Sequence, residues 1–417
     1  MQKLIIEGGR PLRGDVVVHG AKNSALPILA ACLTADGVSV IHNCPRLSDV
    51  RYSLEILEAL GCKTGYESET AVIDASGANG FEISEDLMRK MRSSVVFLGA
   101  VLARFGKAKI SFPGGCELGP RPIDLHLSAL RQMGAEIYEE HGFLHCSAKN
   151  GLDGADIALS FPSVGATENI MLAASLARGE TQIINAAREP EVIDLADYLN
   201  ACGAKIFGAG KDVITIFGVK KLHGAQHSVI PDRIAAATYL SAVAAAGGSV
   251  CVLDAVPRHL SAVLPLFRHA GCDIEIKKKE IRITSDGAPG SFGTVRTMPY
   301  PGFPTDSQAL IMAASTLSRG TSIFIETIFQ NRYKQVGELL RMGANIKIDG
   351  RVAVVEGVER LHGASVVAHD LRCAASLIIA GLAARGETEI TGLQYLDRGY
   401  ESPEERLRGI GARIRRE

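Results

Sequence analysis

The chain lacks tryptophan altogether, and aromatic residues make up only 5 % of its 417 positions. It also lacks an excess of either charge: 45 Lys plus Arg face 46 Asp plus Glu, a formal net of −1. A nucleic-acid binder carries a basic footprint, so this balance argues against nucleic acid as a partner. No apolar run approaches the ~20 residues that span a bilayer. The start, MQKLIIEGGRPLRGD, is charged too soon for a secretory leader. Nine cysteines, an odd number without a CxxC pair, read as reduced thiols. These absences together predict a soluble, cytoplasmic protein with no membrane partner.

What is present is glycine and regularity. Hydrophobic residues at 47 % and charged residues at 22 % are ordinary for a globular chain. The length suggests two or three domains at roughly 100–200 residues each. Forty-four glycines imply many tight turns between short elements, which directs attention to repeats. One motif, a glycine followed by a small residue and an extended segment, occurs six times. It reads LGCKT at Gly61, MGAEI at Gly134, CGAKI at Gly203, AGCDI at Gly271, MGANI at Gly343 and IGARI at Gly411. The spacings are 73, 69, 68, 72 and 68 residues.

Each repeat carries two helical patterns. One is apolar on all sides and ends in glycine, as in ALPILAACLTADG, SVVFLGAVLARFG and AASLIIAGLAARG. Such a helix belongs in a core, and the glycine reads as its left-handed cap. The other is amphipathic, as in SDVRYSLEILEALG, and belongs on a surface. Short β-branched runs such as SVSVIH, TQIINA, TSIFIE and TEITGL lie between them and read as strands. The predicted fold is α/β, with two domains of three strand–helix–strand–helix–strand–strand units packed around buried helices. The last unit has little room for its final strands, while KLIIEGG at the start is a spare strand. The N-terminus is therefore expected to complete the last unit, giving domains at 22–230 and at 1–21 plus 231–417. A ligand cleft is expected between two such domains.

Four segments depart from the repeat: HGAKNS (19–24), FPGGCELGPRPIDLH (112–126), YPGFPTDSQ (300–308) and LDRGYESPEE (396–405). MRSS (91–94) and HDLRCAAS (369–376) bring an arginine to the start of a buried helix. Lys22 and Asn23 precede an apolar helix, where backbone N–H groups attract anions. An exposed turn lysine fits the pattern equally well. Cys116 lies among Gly114, Gly115 and Gly119 with Arg121 nearby, a setting that favours a reactive thiolate. Cys32, Cys62, Cys202, Cys251, Cys272 and Cys373 read as small buried hydrophobes, and Cys44 and Cys146 stand out no more than these. Asp306 fits an ordinary helix start, or a general base beside cations. Arg92, Arg121, Arg372 and Arg398 carry forks that match carboxylates and phosphates. No phosphate loop, GxSxG elbow or zinc spacing is present; His223 and His227 are separated by a glycine that disfavours a metal-bearing helix.

From GAKNSALPILAA through PGGCELGPRPIDLH, PSVGATENIM, NAAREPEVIDL, YPGFPTDSQA and ETIFQNRY to LDRGYE, the chain resembles the enolpyruvyl transferases that act on UDP-N-acetylglucosamine. The resemblance implies the inverse α/β barrel of that family, without a metal or organic cofactor. It further implies transfer from phosphoenolpyruvate to the sugar 3′-hydroxyl by addition and elimination, with loss of phosphate. By the same resemblance, Lys22, Arg121 and Arg398 would hold phosphoenolpyruvate. Cys116 would deliver a proton and take part in product release, and Asp306 would accept the proton of the hydroxyl. The sugar nucleotide would meet Asn23, Arg92, the run Arg121, Pro122, Ile123, Asp124 and Leu125, then Ser163, Val164, Gly165, Asp306 and Ile328. Asp370 and Arg372 would lie beside the site. Cys116 would be the target of the epoxide fosfomycin, and the loop 112–122 would act as a lid. The pattern departs at Ser48, where many relatives have Lys, and at Val96, where some have a large aromatic. The competing readings are the shikimate-pathway enolpyruvyl transferase, a non-catalytic paralogue that binds sugar nucleotide, and a purely structural repeat protein.

Overall fold

A computed structural model describes residues 2–114 and 123–417. Cys116, Arg121 and Pro122 lie outside the described residues, as does most of the expected lid. The described residues divide into two compact units, one built from 20–114 and 123–230 and the other from 2–19 and 231–417.

The sequence repeat is the structural repeat. All six motif glycines adopt a left-handed conformation, with φ between 83° and 98°. There they turn the end of a surface helix into the next strand, a conformation that costs any residue with a Cβ. Each repeat contributes a four-stranded mixed sheet. In the clearest case Asp156–Ala158 runs parallel to Glu180–Ile184. Beyond it lie Val213–Phe217 and then Lys205–Phe207, both pairs antiparallel. The helix Val164–Ala174 connects the two parallel strands, and all but its first two residues are buried. The helix Pro190–Ala201 returns over the surface.

Five other sheets repeat this order. In the unit 20–230 the apolar helices Lys22–Cys32, Phe97–Phe105 and Val164–Ala174 form the centre of one continuous core. In the other unit the same place is taken by Arg233–Ala246, Thr305–Ser315 and Leu371–Ala383.

Both units close by borrowing strands distant in sequence. Gln226–Ser228, after the third repeat of its unit, pairs parallel with Val38–His42 of the first. The N-terminal strand Leu4–Glu7 lies antiparallel between Glu387–Thr391 and Arg413–Arg416, so the N-terminus does complete the last repeat. Leu4 and Ile6 are fully buried in that unit's core. Ile6→Ala is expected to lower unfolding free energy by about 2–5 kcal/mol, read from the midpoint shift in a urea titration at constant slope.

Two local expectations need correction. Only Gly106 and Gly247 cap their apolar helices directly. In the other four repeats the helix stops earlier, and the glycine, such as Gly179 or Gly386, sits just before the following strand. Just past three of those helices Thr34, Ser175 and Thr316 donate to the carbonyls of Ala31, Met171 and Ala313, each at 2.7 Å. The second apolar helix also begins differently, because Arg92–Val96 forms a 3₁₀ turn before Phe97–Phe105.

Candidate active site

In the unit 20–230, Lys22 is the first residue of its helix rather than the residue before it, and Ala21 occupies the cap position. A lysine there opposes the positive end of the helix dipole. The structure offsets this with Asp49, a fully buried carboxylate in the first turn of Ser48–Ala59, whose Oδ2 lies 2.7 Å from Lys22 Nζ. Asn23 beside it is exposed. Ser48 opens the helix that carries Asp49, and Val96 is buried at the end of the 3₁₀ turn. Asp49 was not legible as a site residue, because an aspartate in a helical first turn is ordinary. Two residues after Lys22, Ser24 donates to the buried Asp194, which also receives His227 Nε2 at 2.8 Å and the Ile230 amide at 3.2 Å. His227 thus serves a structural carboxylate.

Arg92 is half-buried and directs Nη1 to the carbonyl of Pro113 at 3.3 Å. Ile123 is buried, and Asp124 and Leu125 open the helix Asp124–Gln132. Ser163 caps Val164–Ala174, its hydroxyl accepting from the Ala166 amide at 3.3 Å. Val164 and Gly165 therefore offer first-turn amides, the groups that attract anions at a helix start. A side chain on Gly165 would meet the His126 ring at 3.2 Å. His126 in turn is held by Asn169, which also receives the Gly99 amide and donates to the Val95 carbonyl. This network ties together the helices Phe97–Phe105, Asp124–Gln132 and Val164–Ala174.

In the other unit, Pro304 is the cap position and Asp306 lies in the first turn of Thr305–Ser315. Its carboxylate does not cap the helix. Oδ2 lies 2.9 Å from Arg372 Nη2 and Oδ1 lies 2.5 Å from Arg332 Nη2. The two guanidinium side chains are only 6 % and 4 % exposed. Burial alone would raise the Asp306 pKa, but the charges of Arg372 and Arg332 override it and hold the carboxyl well below the usual range. Arg372 is anchored further by the Tyr400 hydroxyl at 3.2 Å, itself 2.7 Å from Thr238 Oγ1. Asp370 caps Leu371–Ala383, accepting from the amides of Arg372 and Cys373. It fixes the helix that carries Arg372 without touching the guanidinium.

Ile328 is held by its backbone: Glu326 Oε1 accepts its amide at 2.8 Å, while Oε2 accepts from Thr305 at 2.9 Å. Glu326 thereby ties the Ile328 segment to the start of the Asp306 helix. Arg398 is half-buried and follows Asp397, which pairs with Arg416 at 2.7 Å. Arg332 and Tyr400 lie inside quoted motifs, ETIFQNRY and LDRGYE, yet nothing local singles them out. Their roles come from pairing across 26 and 28 residues of chain.

The eight described cysteines are all buried. Burial pushes the thiols of Cys32 and Cys373 up to about 12 and those of Cys62, Cys146 and Cys272 up to about 11. Such thiols are poor nucleophiles near neutrality. Among the described residues no group of His, Cys, Asp and Glu could hold a metal ion. No described helix is long and apolar enough to cross a membrane.

Fold and charge placement define a two-unit repeat enzyme of α/β type, with cations and carboxylates at the starts of its buried helices. The comparisons with known proteins are consistent over the whole chain. Residues 6–407 match the family described as EPSP synthase (3-phosphoshikimate 1-carboxyvinyltransferase). UDP-N-acetylglucosamine 1-carboxyvinyltransferase 2 of Caldanaerobacter subterraneus is 51 % identical over 414 residues, covering 99 % of each chain. UDP-N-acetylglucosamine 1-carboxyvinyltransferase 1 of Symbiobacterium thermophilum is 50 % identical, covering 100 % of this chain and 95 % of its own. The solved enolpyruvyl transferase NikO from Streptomyces tendae superposes with a TM-score of 0.91 at 26 % identity, covering 100 % of this chain and 98 % of that one. The chain belongs to the enolpyruvyl transferase family.

Proposed function

We infer that this chain transfers the enolpyruvyl group of phosphoenolpyruvate to the 3′-hydroxyl of UDP-N-acetylglucosamine. The observation that carries this reading is the end-to-end identity of about half to transferases named for that reaction. Lys22, Cys116, Asp306 and Arg398, the residues to which the resemblance gives the chemistry, are all present in this chain, while Ser48 stands where many relatives carry Lys. The reaction is the first committed step of peptidoglycan precursor synthesis and so serves cell-wall growth, cell shape and division from the cytoplasm.

The chemistry assigns work to named groups. Phosphoenolpyruvate carries a carboxylate and a phosphate, and Lys22, Arg121 and Arg398 match these anions. Fixed cations of this kind also stabilise the charge that gathers on phosphate as it leaves. In the addition step the sugar oxygen bonds to C2 of phosphoenolpyruvate, the hydroxyl proton passes to Asp306, and the methylene carbon takes a proton from Cys116. In the elimination step the methyl group returns a proton to the Cys116 thiolate and the C–O bond to phosphate breaks, restoring the double bond, while the departing phosphate takes the proton held by Asp306. First-turn amides at Val164 and Gly165, with Asn23, Arg92 and the segment 121–125, bind the nucleotide. Arg372 holds Asp306 beside the sugar.

Phosphate release from phosphoenolpyruvate tests the reading, measured with and without UDP-N-acetylglucosamine and again after fosfomycin. Release is expected only with the sugar nucleotide, and fosfomycin is expected to abolish it by alkylating Cys116 alone, with the eight buried thiols unmodified by mass spectrometry. Release that follows shikimate 3-phosphate instead would assign the chain to the sister reaction. No release with either acceptor from folded protein would make it a binding paralogue.

A further inference from the structure

The Asp306 carboxylate poses a chemical difficulty for its assigned role. A general base works best when its pKa approaches the working pH, yet both oxygens of Asp306 are taken by buried arginines. Those two arginines are held differently. Arg372 belongs to a long helix and is braced by Tyr400, which is braced by Thr238. Arg332 precedes the short helix Gln335–Arg341, outside regular structure. Its Nη2 meets Asp306 and, at 3.2 Å, the Thr305 carbonyl, and its guanidinium lies 5.6 Å from the Phe329 ring centre. Its buried Nε has no hydrogen-bond partner among the described residues. A buried guanidinium donor without a partner carries a desolvation cost that no hydrogen bond offsets.

We propose that Arg332 is a positioning residue that sets the proton affinity of Asp306 through its contact with Oδ1. The inference rests on the transferase reading, in which Asp306 accepts the sugar hydroxyl proton. Arg372 fixes the carboxylate in place, and Arg332 supplies the adjustable share of its positive surroundings. The remaining charged groups near this pair are committed elsewhere. Glu326 binds Thr305 and the amides of Ile328 and Phe329. Asp370 caps its own helix, and Asp232 caps Arg233–Ala246 while acting electrostatically on Arg372. Tyr400 faces Arg372. Among the described residues, Arg332 is therefore the contact whose neutralisation weakens the positive field on Asp306 without dismantling the brace behind Arg372.

The test is the pH profile of kcat/KM for phosphate release, taken with saturating UDP-N-acetylglucosamine in wild type, Arg332→Gln, Arg332→Met and Arg332→Lys. Loss of the positive charge raises the Asp306 pKa, so the acid limb, which lies below the working range in wild type, is expected to rise into that range in the Gln and Met variants. Lysine keeps the charge and is expected to restore the wild-type limb. Two neutral variants of different polarity guard against one failing to fold, checked by circular dichroism. Superimposable profiles for wild type and a folded neutral variant would overturn the proposal. Full activity in Asp306→Asn would instead overturn the assignment of Asp306 on which it rests.

Discussion

Replacing Lys22 with methionine is expected to lower kcat/KM for phosphate release by about 10²–10³, the usual cost of removing one preorganised charge from a transition state. The same change removes the cation 2.7 Å from Asp49, a carboxylate with no solvent exposure. Breaking a buried pair from one side costs about 3–5 kcal/mol, so the variant should also unfold more easily. A second substitution separates the two effects. Asp49→Asn on the Lys22→Met background removes the stranded charge and should return most of the stability, read from urea midpoints. It should return none of the activity, because the anion at the helix start still lacks its cation. Recovery of activity in the double variant would mean that Lys22 acts only as a structural counter-ion.

Asp306→Asn is expected to destabilise its unit by about 3–5 kcal/mol, since two buried guanidinium groups lose their counter-charge at once. It should also cut kcat/KM by about 10²–10⁴ through loss of the proton acceptor. The stability effect has a defined pH dependence. The folded carboxyl lies well below its unfolded value of about 3.9, because the arginine charges outweigh burial. Its contribution is then complete above the unfolded pKa and is lost as pH falls toward the folded one. Wild type and variant should differ fully in urea midpoint near pH 7, and the gap should begin to narrow only below about pH 4. A gap that stays constant on acidification would mean that the carboxylate does not titrate against the arginines.

The repeat determined most of the fold without help from contacts distant in sequence. Six motif glycines forced six left-handed turns, and helices apolar on every side had no stable place except a core. Even the closing strand was legible, because KLIIEGG had no partner nearby and the last repeat lacked one. Helix ends were less legible. A glycine can cap a helix or precede the next strand, and after Thr34, Ser175 and Thr316, whose hydroxyls bond back to the helix carbonyls, it precedes the strand.

The charged residues proposed for function stood out in the sequence, since Lys22, Arg92, Asp306, Arg372 and Arg398 all interrupt an otherwise apolar repeat. Their state was not. Whether Asp306 is a free base or a doubly paired carboxylate depends on Arg332 and Arg372, 26 and 66 residues away. Whether Lys22 is an exposed cation depends on Asp49, buried on another helix. Periodicity records which face of an element avoids water, a property each residue carries alone. Ion pairing belongs to two side chains at a given separation and burial, and only the packed chain fixes both.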